Sequence, residues 1–373
     1  MNAQVCRWGI LSTAAIAGKN WRAIALSGNS RVSAIASRSQ QAAEKFIAQC
    51  QSRTPISESP TALGSYEALL ERDDVDAVYI PLPTATRREW VIRAAEAKKH
   101  VLCEKPIAVC ESEAKEMVDA CTSNGVQFMD GVMFMHSQRL PAMRRSIDDS
   151  QRTGKLRRIA SHFTFCGDDD FRQHNIRTMS QLEPFGCLGD VGWYNLRLTL
   201  WVMNFELPKR VVGNTLQTLC GQGGERPVPG DFSGELFFEN GVSASFYCSF
   251  MAGNQQVAVI SGENGYVALD DFVLPWMGPE VAWETCSHHF DAGDDRFFMR
   301  RHGRREAVVE YSNGAPGAQE VNMIRCFSEL VLSGRRDSYW PRVALATQRV
   351  MDACLKSAEL GGIAVDVPSS PLL

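Results

Sequence analysis

Three residues of this chain have types and contexts that could do proton chemistry. Lys105 follows a short apolar run, Val101-Leu102-Cys103, inside Glu104-Lys105-Pro106. A strand of that kind ends at the carboxyl edge of a parallel sheet, where open α/β folds bind their ligands. The proline restricts the backbone beside it, so the ammonium is aimed at a bound oxygen; the alternative is an exposed loop lysine. Asp190 and Tyr194 lie in Leu188-Gly189-Asp190-Val191-Gly192-Trp193-Tyr194. A helix beginning near Gly189 would put them one turn apart on one face. A lysine beside them lowers the carboxyl pKa or steadies a developing alkoxide, and the phenol gives or takes the proton. The alternatives are a helix cap for Asp190 and a core aromatic for Tyr194.

A second group of residues could hold a dinucleotide. After the first strand, Gly9-Ile10-Leu11-Ser12-Thr13-Ala14-Ala15-Ile16-Ala17 places Ser12, Ala14 and Ala17 where a Gly-x-Gly-x-x-Gly/Ala fingerprint would stand. Both early glycines are missing. Small residues still let a phosphate reach a helix N-terminus, and Ser12, Thr13, Ala14 and Ile16 are the candidate contacts. Packing of a tight turn explains the same residues. The next strand ends in Ser37-Arg38-Ser39 instead of an acid. A guanidinium flanked by hydroxyls suits a 2′-phosphate, so NADP is expected over NAD; a surface arginine near a helix start is the alternative. Pro81, Pro83 and Thr84 form a rigid turn at the same edge, within reach of a dinucleotide or simply a turn.

The elements that must position these groups alternate. Strands are read at Cys6–Leu11, Arg31–Ala36, Ala77–Ile80, Val101–Cys103 and Val126–Met129. Helices between them include one bearing Ile16, Ala17, Trp21, Ile24 and Ala25 on one face, then Ala42–Cys50, Tyr66–Glu71, Glu89–Ala97 and Glu113–Ser123. That alternation implies right-handed crossovers and a parallel sheet with helices on both faces. Beyond a helix near 141–150 the texture becomes strand-like. Asn240-Gly241 and Asn264-Gly265 read as hairpin turns with left-handed residues. Val242, Ala244, Phe246, Cys248 and Phe250 point one way, and Ser243, Ser245, Tyr247 and Ser249 the other. Segments 54–60 and 221–230 read as loops. Helices return at about 320–333 and 343–360. The expected architecture is α/β: a doubly wound parallel Rossmann sheet over residues 1–135, then an α+β unit over 136–373 with a large, mostly antiparallel open sheet.

The bulk properties narrow the function. The 373 residues suggest two domains. With a net charge of −4, 45% hydrophobic and 22% charged residues, there is no polyanion-binding signature. The 12 cysteines are scattered without zinc spacing, and His288-His289 cannot share one helix face. No metal is expected. Isolated thiols, no apolar leader from Met1 onward and no 20-residue apolar stretch suggest a cytoplasmic enzyme with no membrane partner.

Gly9 to Ala17, Ser37-Arg38-Ser39, Glu104-Lys105-Pro106 and Gly189-Asp190-Val191-Gly192-Trp193-Tyr194 together resemble the glucose–fructose oxidoreductase, inositol dehydrogenase and MocA family. Tyr194, in place of His, looks like the dihydrodiol and NADP-dependent xylose dehydrogenase branch. The runs Leu188–Tyr194 and Asn204–Pro208 look closest to plant and algal members. The resemblance implies hydride transfer between nicotinamide and a secondary alcohol or hemiacetal carbon of a sugar, polyol or cyclic diol. It makes Tyr194 the acid/base, Lys105 the donor to the reacting oxygen and Asp190 the residue that positions the substrate and tunes the pair, with Glu104 beside the cofactor. It also implies a cis Lys105–Pro106 peptide. Arg87 stands where many members carry His, which leaves that contact open. His136, Arg139 and Arg177 are in reach of a substrate, or form local ion pairs. The rival readings are a non-catalytic NADP-binding regulator or structural protein, and a hydrolase or lyase that uses the cofactor transiently. The small polar sheet face is a candidate homo-oligomer surface.

Overall fold

The computed structural model describes residues 4–293 and 295–373. Met1–Ala3, part of the stretch read as lacking a leader, lie outside them. The first sheet has strands β1 (Cys6–Leu11), β2 (Ser30–Ala36), β3 (Thr61–Leu63), β4 (Ala77–Ile80), β5 (His100–Cys103) and β6 (Phe128–Asp130). All pair in parallel, in the order β3-β2-β1-β4-β5-β6. Helices α1 (Ala15–Leu26), α2 (Gln40–Arg53), α3 (Tyr66–Leu70), α4 (Thr84–Glu96) and α5 (Glu111–Ser123) connect them. Strand order reverses between β1 and β4, so a crevice opens at their carboxyl ends. Helix α4 starts at Thr84, five residues earlier than the sequence pattern indicates, because Pro83 sits at its N-cap and preorganises the first turn. On α1, Ala17, Trp21 and Ile24 are buried as expected, but Ile16 is 41% exposed at the rim of that crevice.

The second sheet follows α6 (Arg139–Ile147). Its strands are β7 (Leu156–Cys166), β8 (Arg210–Leu219), β9 (Val228–Phe237), β10 (Ser243–Ser249), β11 (Met251–Gly262), β12 (Tyr266–Leu269), β13 (Glu280–Gly293), β14 (Arg296–Val309) and β15 (Val365–Asp366). Helices α7 (Asp169–His174) and α8 (Trp193–Val202) leave and re-enter it, and α9 (Gln319–Ser333) and α10 (Tyr339–Glu359) close the chain. The nine strands run β14-β13-β12-β11-β7-β10-β9-β8-β15. Pairing is antiparallel except β7 with β10. The loop read over 221–230 ends early, at the start of β9.

The alternation on β10 is as expected: Val242, Ala244, Phe246, Cys248 and Phe250 are buried. Ser243, Ser245 and Tyr247 are half-buried on the opposite face, and Ser249 departs from them by being fully buried against Asp231. Both hairpins exist, but their turn chemistry differs from the expectation. Only Gly241 has positive φ, at 83°. The Gly241 N–H bonds Phe238 O and the Phe238 N–H bonds Val242 O, which is a type I turn closed by a left-handed glycine. Gly265 is not left-handed, and a Cβ there would lie 2.4 Å from Cys286 O, so it is small for close approach.

Helices α9 and α10 return to the first sheet. Trp8 of β1 stacks near Phe327 at 5.2 Å and donates to Ser328 Oγ at 3.1 Å. Trp21, Val321, Ile324, Phe327 and Trp340 share one apolar cluster. Asp130, at the end of β6, pairs with Arg197 of α8 at 2.6 Å with both side chains fully buried.

Candidate active site

Lys105 lies two residues past Cys103, the end of β5, and its peptide with Pro106 is cis. Three side chains hold this turn. Tyr79 donates to Glu104 Oε1 at 2.6 Å. Glu104 Oε2 accepts from the Lys105 N–H at 3.3 Å. Arg87, buried on α4, donates to Leu82 O at 2.7 Å, to Glu104 O at 3.0 Å and to Pro106 O. Arg87 thus fastens the two sheet-edge turns. Glu183 reaches over from the second unit, accepting from the Thr84 N–H at 3.0 Å and the Thr84 hydroxyl at 2.6 Å. A carboxylate at the first turn of α4 suits the positive end of that helix.

Asp190 comes from a single wide, π-helical turn, Leu188–Gly192, that leads into α8. Such turns recur at functional sites. The turn packs on the Lys105–Pro106 segment: a Cβ at Gly189 would fall 3.1 Å from the Pro106 ring and 2.7 Å from Phe185 Cβ. The side chain of Asp190 caps no helix. Lys105 Nζ donates to its Oδ1 and to its main-chain O, both at 2.7 Å. Arg177 Nε meets its Oδ2 at 2.8 Å. Burial would raise the Asp190 pKa, but Arg177 and then Lys105 outweigh it and hold the carboxyl well below the usual range. Arg177 in turn is held charged by Asp190. The Tyr194 ring lies beneath the ammonium, with Lys105 Nζ 4.8 Å from its centroid. Its hydroxyl meets Met133 Sδ at 3.7 Å. Burial, reinforced by the charges of Glu104 and Asp190, pushes the Tyr194 pKa well above its ordinary value. The phenol is therefore protonated at neutral pH.

These groups line a cleft of about 590 Å³ between the two sheets. Of the residues singled out in the sequence, Ala14, Ile16, Pro81, Arg87, Glu104, Lys105, Arg177, Asp190 and Tyr194 border it. Its far wall, not anticipated, is largely apolar, with Phe163, Phe165, Ile176, Val273 and Leu274. Gln256 also lines it, but both ends of its amide are tied to the Leu274 main chain.

Other expectations fall outside the cleft. Thr84 is 1% exposed and committed to Glu183. Pro83 does not border the space. His136 is half-buried with its Nε2 enclosed, stacked on Trp340 at 4.5 Å, and desolvation lowers its pKa to about 3. Arg139 is 1% exposed and paired with Asp271. Neither His136 nor Arg139 is placed to touch a substrate. No signal in the local sequence separates them from Arg177, whose 40% exposed side chain stays in the cleft.

The dinucleotide candidates occupy the same sheet edge. Ser12 has φ 143°, a backbone conformation that glycine favours, and its Oγ accepts from the Ala14 N–H at 3.0 Å. Helix α1 has no side-chain cap and no acid in its first turn, so its free N–H groups and dipole suit a pyrophosphate. At the end of β2, Ser37 is buried, Ser39 caps α2 through the Ala42 N–H, and Arg38 is exposed. Tyr66 lies near enough for the charge of Arg38 to offset part of the burial that raises the phenol pKa. The donor set fits a phosphorylated dinucleotide. Among the described residues no cluster could hold a metal ion, and no helix is long and apolar enough to cross a membrane. All 12 cysteines are free thiols.

Comparison with known proteins adds a lineage. Residues 6–132 match the model of an oxidoreductase family with an NAD-binding Rossmann fold, and residues 142–268 match the GFO/IDH/MocA C-terminal domain. The chain is 28% identical over 368 residues to D-xylose 1-dehydrogenase (NADP(+)) 2 of Haloferax volcanii, covering 95% of this chain and 98% of that one. It is 29% identical over 357 residues to trans-1,2-dihydrobenzene-1,2-diol dehydrogenase of Mus musculus, covering 94% and 95%. A 3-ketoreductase from Actinomadura kijaniata, solved with NADP and TDP-benzene, superposes with a TM-score of 0.76 at 25% identity, covering 95% of this chain and 98% of that one.

Proposed function

The chain belongs to the GFO/IDH/MocA oxidoreductase family, and from that premise we propose that it uses NADP to oxidise or reduce a secondary alcohol or hemiacetal carbon of a sugar, polyol or cyclic diol. One observation carries this reading: Lys105, Asp190 and Tyr194, drawn from distant segments, converge in a cleft beside the β1–β4 switch point. A regulator without turnover has no need of that convergence, and the relatives are named as dehydrogenases and a reductase.

When bound, NADP supplies the hydride donor or acceptor. Ser12, Thr13, Ala14 and Ile16 would border its pyrophosphate, and Ser37, Arg38 and Ser39 its 2′-phosphate. The xylose dehydrogenase carries NADP in its name and the ketoreductase was solved with it; the exposed Arg38, in place of an acid, is consistent with both. Asp190 fixes the Lys105 ammonium, whose remaining N–H can hydrogen-bond the substrate oxygen without giving up its proton. Tyr194 holds the proton that moves to or from that oxygen. Arg177 keeps Asp190 ionised, so the carboxylate stays an acceptor. The apolar far wall excludes water from the reacting carbon. We further assign residues 1–135 to the dinucleotide unit and 136–373 to the substrate unit, place the protein in the cytoplasm on its free thiols, and assign the open face of the second sheet to a second copy.

The reading is tested with NADPH fluorescence and turnover over aldoses, inositols and trans-dihydrodiols. Lys105→Ala should retain NADPH binding and lose at least about a hundredfold in kcat. Arg38→Asp should abolish the preference for NADPH over NADH. Unchanged turnover in the first variant, or unchanged preference in the second, would overturn the respective assignment.

A further inference from the structure

The cleft is polar at one end only. At that inner end Lys105 and Arg177 meet Asp190, with the Tyr194 ring beneath them. From there an apolar strip runs outward. Phe163 stands 5.6 Å from the Tyr194 ring. Phe165 lies two residues along β7 on the same face, about 7 Å farther. Ile176 and Leu274, 40% and 45% exposed, edge the strip at the mouth. The strip is braced from behind: Phe163 packs on Phe272 at 6.0 Å, and Phe165 on Phe171 at 5.2 Å and on Phe250 at 5.0 Å.

The polar side chains along this wall are already in use. Thr164 is buried and donates its hydroxyl to Gly253 O. Gln256 faces Phe163 across the β7–β11 ladder and gives both ends of its amide to the Leu274 main chain, at 3.1 and 2.6 Å. Among the described residues of the wall, only Asn254 keeps a free amide. A free aldose carries a hydroxyl on nearly every ring carbon, and each one buried here without a partner would weaken binding by roughly tenfold. A sugar nucleotide would need cations for its diphosphate. The cations that border the cleft are Lys19, on the dinucleotide side in α1, Arg87, bound to three carbonyls, and Lys105 and Arg177, which share Asp190.

We propose that the substrate is an aryl or alkyl glycoside, with its sugar ring at the polar end and its apolar aglycone along Phe163, Phe165, Ile176 and Leu274. This rests on the oxidoreductase reading above and narrows it to a ring carbinol, because a glycoside has no free hemiacetal. The inner end offers donors for the sugar ring, namely the third N–H of Lys105, the outer edge of Arg177 and the Tyr194 hydroxyl. The strip offers a dry surface for the attached group. In the oxidative direction a ring C–H leaves as hydride to NADP and the O–H hydrogen leaves as a proton. The carbinol becomes a ketone and the glycosidic bond stays intact.

Steady-state turnover with NADP decides, using phenyl β-D-xyloside, methyl β-D-xyloside and D-xylose. The phenyl glycoside should exceed the other two in kcat/KM by at least about tenfold. Ile176→Asn and Leu274→Asn replace side chains at the exposed rim, so Tm should hold while the phenyl-to-methyl ratio falls several-fold. Titration calorimetry on the NADPH-loaded protein should show the same loss in affinity for the phenyl glycoside. Equal or better turnover of D-xylose or the methyl glycoside would overturn the inference and leave the oxidoreductase reading standing. So would NADPH binding without turnover of any of the three, or a phenyl preference that neither variant reduces. A chain that binds no NADPH would overturn the underlying reading as well.

Discussion

At the scale of single residues, the candidate site is a carboxylate between two cations above a phenol. Lys105, Asp190 and Tyr194 could be read from sequence because each stands in a short, distinctive run. The partners that fix them could not. Arg177, read only as a substrate contact or local ion pair, sits in a single 3-10 turn, Glu183 lies in a loop without periodicity, and Arg87 carries no mark of the three carbonyls it serves. His136 and Arg139 follow the same strand exit as plausible ligands do, yet His136 stacks on Trp340 and Arg139 is buried against Asp271. Among the described residues the Tyr194 hydroxyl hydrogen-bonds only the Met133 sulfur, so Tyr194→Phe should keep the fold while lowering kcat by about 10²–10⁴. Because burial holds the phenol protonated, reduction should proceed on a flat pH plateau through neutrality. Oxidation, which needs that proton gone, should speed up as pH rises. A pH–rate profile in each direction, in wild type and Tyr194→Phe, checks the assignment.

At the scale of elements, several helix ends are served by groups from distant parts of the chain. Glu183 supports α4, and Asp352 of α10 accepts from the Glu111 N–H of α5 at 2.6 Å. Neither contact is visible to a local pattern, which finds helices through their own apolar spacing. The start of α1 shows the reverse case. Ser12 keeps the backbone that a fingerprint glycine would take, so the turn persists after the motif has gone. Burial raises the Asp352 pKa to about 6. An acid whose folded pKa exceeds its unfolded one stabilises the fold below the unfolded value and loses that contribution as pH rises through the folded value. The window is therefore about pH 4 to 6. Asp352→Asn keeps an acceptor for Glu111 and can use the unpartnered Gln348 Oε1. It should raise stability at pH 7.5 by about 1–2 kcal/mol and flatten the pH dependence of Tm across that window.

At the scale of the whole molecule, the strand–helix alternation predicts the first sheet and its edge, since each crossover is local. The second sheet was legible only as antiparallel strands with hairpins. Its β7–β10 parallel pairing joins segments nearly 80 residues apart, and the long β13–β14 hairpin has no signature beyond exposed aromatics. The two units are also fastened more deeply than two hydrophobic patterns suggest. The buried Arg197–Asp130 pair ties α8 to β6, and Arg197 Nε donates to Thr347 of α10 at 2.8 Å. Removing one partner strands the other charge in the core. Arg197→Leu should cost about 3–5 kcal/mol, and Arg197→Leu/Asp130→Asn should recover part of it. Urea unfolding of wild type, single and double variants measures both.

The shared cluster of Trp8, Trp21, Val321 and Phe327 has a consequence for biosynthesis. The first sheet is complete once Asp130 has left the ribosome, but the helix that covers its Trp8 side begins only at Gln319. At ordinary elongation rates the nascent chain waits about 10–40 s with that flank bare. During this interval that apolar flank should stay open to solvent, and its protection should coincide with emergence of the final two helices.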